Sequence, residues 1–369
     1  MDTYLVTLKP RGPCASAVTS NTLFGAVCWA LQTLRLVNVA DLLADFSAAP
    51  HFVFSSAFPF AAGDGNVVRC FPKPIITLPT AEQIYCLAEQ RAGTTDRTSP
   101  RFKRRVEEIT DNVKQIKNAK YVSHTLFSEI CAGQWDSPRL LREWNESVCS
   151  HNDTLWLKKD LQALWGRNQK PDDLWRTTGV QRNSVDRVAG ATAEGLLFYE
   201  VQTFFRRGQG GLWCLTLASQ EARQWLEVAF RYLSDTGIGG KRTVGKGHFE
   251  CIIESAEGVL PQIADPDSFV VLSRYLPTIL EEGQRLEAEP LGYTLLPVYQ
   301  RPENKFPGSE QMRAHSGRIH LFTEGSVFAL RGAPRPYYGR ITPLCRTNGR
   351  TIYYSGLAIP VPAKLGGAK

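Results

Sequence analysis

The run LWCLTLASQEARQWLEVAFRYLSDTGIGGKRTVGKGHFECIIE, residues 212–254, decides the fold. Its opening LWCLTL is an apolar strand. Residues 219–234 then place Ala222, Trp225, Leu226, Ala229, Phe230 and Leu233 on one face of a helix. HFECIIE closes the run as a second strand. Between helix and strand lies GIGGKRTVGKG, 237–247, with five glycines, three cations and no acid.

Working outward, GLLFYEVQTFF at 195–205 and the turn RRGQGG predict a hairpin over 195–218, because glycines at a tip allow positive φ. At the start of the chain TYLVTL, 3–8, reads as a strand. After a Gly-Pro break at 12–13, SNTLFGAVCWALQTL reads as a helix capped by Ser20 or Asn21, with Leu23, Val27, Ala30, Leu31 and Leu34 at helical spacing. HFVFSSAFPF, 51–60, is another strand. With residues 79–175 set aside, the order is strand–helix–strand twice, the split βαβ pattern of ferredoxin-like and RRM domains.

Residues 79–175 break that pattern with weak helical periodicity, the basic stretch RFKRRVEEITDNVKQIKNAK (101–120) and tryptophans at 135, 144, 156, 165 and 175. They are expected to form a helical insertion, reaching to about 193, in a first domain spanning 1–256. The remainder, 257–369, offers short strand-like pieces such as FVVLSRYL, YTLLPVY, RIHLF and TIYYSGLAIPV, and is expected to be a second, β-rich domain. The fold class is thus α+β, two ferredoxin-like domains with a thumb or helical insertion in the first.

The composition, 43% hydrophobic and 21% charged over 369 residues, is that of a folded globular chain. Forty-three Lys and Arg against 36 Asp and Glu give +7, which permits a polyanionic partner without requiring one. No acid follows Glu324, whereas seven bases do. By contrast, 257–289 holds seven acids and two bases, which suits a basic protein neighbour or water. Nine scattered cysteines, an odd number with no CxxC, are expected to be reduced thiols of a cytoplasmic protein. MDTYLVTLKP lacks the pattern of a secretory signal, and no apolar run is long enough to cross a bilayer.

The glycine-rich loop carries the sharpest chemistry. Gly239, Gly240 and Gly245 let backbone N–H groups approach a phosphate, and Lys241, Arg242 and Lys246 add attraction. A nucleotide P-loop is excluded: Gly247 stands where Ser or Thr would bind Mg²⁺, and the loop runs from helix to strand instead of strand to helix. The same residues also suit a surface turn, at the entropic cost of five glycines. RTTGVQRNSVDR, 176–187, offers Arg182, Asn183 and Arg187 for phosphates and base edges, or an exposed loop pairing through Asp186. Among the histidines, His248 borders the glycine loop and is the candidate base for an alternative reading, metal-independent endonucleolytic processing of precursor RNA. No metal-ligand spacing and no cofactor motif occur.

Taken together, SNTLFGAVCWAL (20–31), FSSAFPF (54–60), PKP (72–74), KQIKNAKYVS (114–123), RNSVDR with TAEG (182–187, 192–195), GIGGKRTVGKGHF (237–249) and YYSGLAIPVPAK (353–364) resemble the RAMP superfamily of CRISPR proteins. Within it they resemble the fourth subunit of the type III-A Csm effector complex. The resemblance covers nearly the whole chain, which is longer than expected within 79–175. It implies a thumb including 176–193, no catalysis, and binding of the 5′ repeat-derived tag of crRNA. It implies two protein partners, the large polymerase-cyclase subunit and the backbone RAMP subunit. By position it implies tag contacts at Ser20, Asn21, Lys73, Lys117, Arg182, Asn183, Arg187, Lys241, Arg242 and Lys246.

Overall fold

The structure is a computed structural model that describes residues 1–15, 17–166, 173–186, 188, 191–280, 285–298, 319–347 and 350–366. The chain opens with β1 (Asp2–Pro10), α1 (Ser20–Thr33), α2 (Val39–Ala44), β2 (Phe52–Phe54), β3 (Phe58–Gly63) and β4 (Asn66–Pro72). Of the apolar face the sequence predicts for α1, Leu23, Val27, Ala30 and Leu31 are buried, together with Phe24, whereas Leu34 is the half-buried C-cap. The 51–60 strand is split in two at Ser55 and Ser56: Ser55 stays bonded to its neighbouring strand, its Oγ accepting from the Leu215 N–H, whereas the Ser56 side chain reaches across to Glu324.

The inserted region contains α3 (Ala81–Ala92), α4 (Pro100–Asn118), β5 (Tyr121–Ser123), α5 (His124–Cys131), α6 (Ser137–Arg142), β6 (Val148–His151), β7 (Thr154–Leu157) and α7 (Lys158–Trp165). It is more than a helical appendage. β5 pairs with β4, and β7 and β6 follow, so three short strands extend the main sheet. Strands of three or four residues are too short to show alternation in sequence. The tryptophans at 135, 144, 156, 165 and 175 are all buried.

Next come β8 (Trp175–Asp186), β9 (Ala191–Phe205), β10 (Gly210–Ala218), α8 (Gln220–Thr236) and β11 (Phe249–Ser255). The expected 195–218 hairpin is corrected here. The turn at 206–210 exists, but β9 pairs back onto β8 from Trp175 opposite Phe205 to Asp186 opposite Ala191. β10 is buried along its whole length, and its edges are taken by β1 on one side and by β2 and β3 on the other. Leu197, Tyr199 and Val201 of β9 remain exposed on a projecting ribbon. The main sheet runs β11-β1-β10-β3-β4-β5-β7-β6. Its first four strands are mutually antiparallel, and α1 and α8 pack on each other in the connections.

After Ser255 every described element is a strand: β12 (Ser268–Val271), β13 (Ile279–Leu280), β14 (Arg285–Leu286), β15 (Pro290–Gly292), β16 (Leu295–Val298), β17 (Ile319–Phe322), β18 (Val327–Ala329), β19 (Ile341–Thr347), β20 (Arg350–Ser355) and β21 (Pro360–Ala363). β15-β18-β12-β21 form a four-stranded sheet, and the rest pair as ribbons. Phe269 stacks on Tyr338 at 4.3 Å and against Phe328 at 5.5 Å, the centre of a small aromatic core. The larger core is continuous between the halves, since Val270, Leu272, Ile359 and Val361 pack with residues of β1, α1 and β10.

Polar bonds fix the same junction. The Ser56 N–H donates to the Leu272 carbonyl at 2.8 Å, and the Ser273 hydroxyl donates to the Phe54 carbonyl at 2.9 Å. A ring of four residues closes nearby. The Ser20 N–H donates to Ser56 Oγ (2.9 Å), which donates to Glu324 Oε1 (2.5 Å). Arg274 Nε donates to the same oxygen (2.9 Å), and the Arg274 N–H returns to Ser20 Oγ (3.0 Å). Removing one partner of a buried pair strands the other charge. Glu324→Ala is therefore expected to lower unfolding stability by about 3 kcal/mol in urea denaturation. An Arg274→Met, Glu324→Met double variant should lose less, and equal losses would show that the pair itself is not the source.

Candidate nucleic-acid interface

The glycine loop leaves α8 and closes on itself where the Ile238 N–H donates to the Gly247 carbonyl at 2.8 Å. The closure requires glycine at 247: φ is +69°, and a Cβ would lie 2.1 Å from the Ile238 oxygen. Gly239 and Gly245 also take positive φ, +89° and +80°. A Cβ at Gly240 or Gly245 would meet nothing within 4 Å, so the outer backbone of the loop is open to an approaching group.

The three cations of the loop meet different fates. Lys241 is exposed, with its ammonium 5.9 Å from the Phe198 ring centroid. Arg242 directs Nη1 toward the Gly237 carbonyl at 3.4 Å. Lys246, expected as a cation on the phosphate side, is only 2% exposed and is ion-paired with Glu200 of β9. An ammonium so deeply buried needs a partner, and the ribbon supplies one. Glu200 also lies 3.6 Å from Arg182 Nε, so the loop and the ribbon share one charge network. Asn183 is exposed on the same ribbon, opposite Leu197. Arg187 lies outside the described residues.

A strap, described over residues 11–15 and 17–19, links this network to a second site. The Gly247 N–H donates to the Pro13 carbonyl (3.0 Å), and the Arg11 N–H donates to the His248 carbonyl (2.8 Å). Cys14 exchanges backbone bonds with Thr203 of the ribbon. Three residues on from Cys14, at most about 11 Å along the chain, Ala17 begins the lining of a cleft of about 620 Å³.

Lys73, Lys117, Lys120, Arg274, Thr19 and Glu324 stand on that cleft. Lys73 donates to the carbonyls of Ile116 and Lys117 at the end of α4, the latter at 3.0 Å, where a cation complements the helix dipole. Burial pushes its ammonium down to about 8. Lys117 is exposed, and Lys120 pairs with Asp153 at 3.0 Å. Ser20 is buried in the four-residue ring, and Asn21 Oδ1 accepts from the Thr19 hydroxyl at 2.6 Å. The expected site residues therefore fall into two groups: Lys241, Arg242, Lys246, Arg182 and Asn183 at the loop and ribbon, Ser20, Lys73 and Lys117 at or behind the cleft. Glu200, Arg274 and Glu324 were not foreseen. Glu200 had a faint signal, one acid in an apolar strand. Arg274 and Glu324 had none, being fifty positions apart and brought together only by the fold.

Charge elsewhere is mostly spent on structure. Glu287, in the acidic 257–289 region, accepts from the Tyr275 hydroxyl (3.0 Å) and the N–H groups of Thr278 (2.9 Å) and Gly339 (2.8 Å), and pairs with Arg335 at 3.1 Å. Asp267 accepts from the Leu365 and Gly366 N–H groups, each at 3.0 Å. Arg331 pairs with Glu289 at 3.3 Å, and on α4 Lys114 pairs with Asp111 at 2.9 Å. His248 is half-buried with Nε2 3.3 Å from the Arg242 carbonyl oxygen.

The Lys246 ammonium holds the Glu200 carboxyl below the usual carboxylate range. A group with a depressed folded value stabilises the fold above its unfolded pKa, about 4.3, and loses that contribution as pH falls through the folded value. The melting-temperature gap between wild type and Glu200→Gln should be full at neutral pH and shrink in acid below about 4. A gap that is constant with pH would remove the ion pair from the account.

No protein-family model matches the chain. In sequence it is similar to the CRISPR system Cms protein Csm4 of Thermococcus onnurineus (strain NA1), 25% identical over 275 residues that cover 74% of each chain. In fold it is similar to a chain of the Csm3–Csm4 subcomplex of the type III-A CRISPR-Cas interference complex. The TM-score is 0.62 at 15% identity, over 98% of this chain and 99% of that one. It is also similar to a chain of the Csm1–Csm4 cassette in complex with pppApA, with a TM-score of 0.56 at 18% identity, over 99% of both. The motifs along the sequence, the curated relative and the fold agree in their likeness: this chain is similar to the Csm4 proteins of CRISPR systems.

Proposed function

We propose that this chain is a non-catalytic subunit of a type III-A CRISPR ribonucleoprotein that binds the 5′ repeat-derived tag of crRNA. It would join the large polymerase-cyclase subunit to the backbone RAMP subunits. The observation that carries the RNA reading is the strap: a few residues tie an open glycine loop to a cation-rimmed cleft, giving two phosphate-suited sites along one short path. The partner reading is supported by the fold relatives, which come from complexes pairing Csm4 with Csm1 and with Csm3. The strand order β11-β1-β10-β3, with helices in both crossovers, supports a ferredoxin-like unit in the N-terminal half. We read the β-rich 257–369 as its diverged second copy. The described residues include no helix long and apolar enough to cross a membrane, and we place the chain in the cytoplasm.

The full chain is expected to shift a labelled tag-plus-spacer RNA on native gels and leave it intact on denaturing gels in EDTA, with RNA carrying the tag as the effective competitor. Equal competition by RNA lacking the tag would sink the tag reading, and a defined cut lost in His248→Ala would make the chain a nuclease. Each phosphate contact to single-stranded nucleic acid contributes about 0.7 to the slope of log affinity against log salt. A Lys241→Gln, Arg242→Gln double variant should therefore flatten the slope by about 1.4, and an unchanged slope would remove the loop from the interface. Because Lys73 loses its proton near 8, RNA affinity should fall as pH rises through that value. Lys73→Arg should abolish the step.

A further inference from the structure

We propose that the cleft between the strap, the end of α4 and the C-terminal half receives one unstacked nucleotide of the bound RNA, its base against the apolar wall and its phosphate at the lysine rim. The inference rests on the RNA-binding reading and gives that site a subsite. Size comes first: about 620 Å³ lies within the roughly 300–1,000 Å³ of pockets that enclose whole small ligands. The walls are of two kinds. Val18, Ala57, Phe58, Ile75, Ile76 and Leu140 make an apolar side, whereas Lys73, Lys117 and Lys120 stand on the same cleft from the β4 exit and the end of α4. A base offers an apolar face and its phosphate a charge, so one nucleotide satisfies both walls, which neither a purely apolar nor a purely anionic ligand does.

The polar groups within the cleft fit a base edge. Both bonds of Glu324 end on Oε1, and a carboxylate accepts from exocyclic amino groups. The Tyr121 phenol, pushed up to about 12 by burial, stays a neutral hydroxyl. Arg274, itself on the cleft, pairs with Glu324, and among the described residues its buried Nη1 has no hydrogen-bond partner, so positive charge stands beside that carboxylate.

The test uses the full chain and tag RNAs carrying 2-aminopurine at each position in turn. One position is expected to brighten several-fold on binding, as a base leaving its stack does. Ala17→Trp, a substitution at an exposed residue of the cleft mouth, should abolish that response and weaken binding about tenfold. Lys117→Glu should also weaken binding, with the melting temperature unchanged in both variants. Wild-type affinity and an unchanged fluorescence profile in both variants would overturn the subsite while leaving RNA binding intact. So would a response shared equally by all positions, which places no base in the cleft. Nucleoside monophosphates that bind at millimolar concentration with the same Ala17→Trp sensitivity, while no RNA position responds, would assign the cleft to a free nucleotide instead. Failure of the wild type to bind tag RNA at all would sink the functional reading itself, and the subsite with it.

Discussion

The ring through Ser20, Ser56, Glu324 and Arg274 is the constraint on which the rest of the architecture turns. It ties the first residue of α1 to the break between β2 and β3, and both to two segments of the C-terminal half. It works with the Ser56–Leu272 and Ser273–Phe54 bonds beside an apolar seam, and a seam alone fixes distance better than register. Directional bonds fix register. Ser56, Arg274 and Glu324 of the ring also line the cleft, so the same bonds that join the halves position part of its wall. The interruption of the strand at Ser56 thus turns one ladder residue toward the junction.

The glycine loop depends on a second anchor of the same logic. A loop with positive φ at Gly237, Gly239, Gly245 and Gly247 has little internal stiffness. Lys246 supplies it by reaching into the interior and pairing with Glu200, which commits one of three loop cations to shape rather than to a ligand. The pair also sets the ribbon against the loop, with Phe198 below Lys241 and Arg182 beside Glu200. The ribbon's other face carries Leu197, Tyr199 and Val201 into solvent.

Much of this was legible in the sequence wherever a physical period was long enough to see. The heptad-scale faces of α1 and α8, and the strands β1 and β11, follow from apolar spacing alone. The strands β5, β6 and β7 did not announce themselves, because three or four residues carry no period. The hairpin between β9 and β10 was misassigned for a different reason. Two apolar runs with a glycine turn between them have a good local hairpin signal, but β10 had better partners far away in sequence, and tertiary burial overrode proximity. At the site, composition identified the loop but could not say which cation is buried. The charge balance of 237–247 contains no acid, whereas its balance in space does.

That distinction bears on how such a surface can recognise RNA. Of the cations the sequence offers, Lys246 is buried against Glu200, Lys73 sits on helix carbonyls at a lowered affinity for its proton, and Lys114, Lys120, Arg331 and Arg335 are paired with carboxylates. Exposed pairs are weak and can be exchanged for phosphate at little cost, whereas buried ones cannot. With a net charge of only +7 over the chain, long-range attraction contributes modestly. If the chain binds RNA as proposed, affinity would then come from short-range fit: backbone N–H groups of the glycine loop, a few exposed cations and a shaped cleft. Short-range fit is the kind of recognition that distinguishes a defined RNA segment from arbitrary strand, because a phosphate field alone reads no sequence. On the proposed reading, a surface that pairs many of its cations internally would give up general affinity for RNA and favour the segment whose shape the loop, strap and cleft together match.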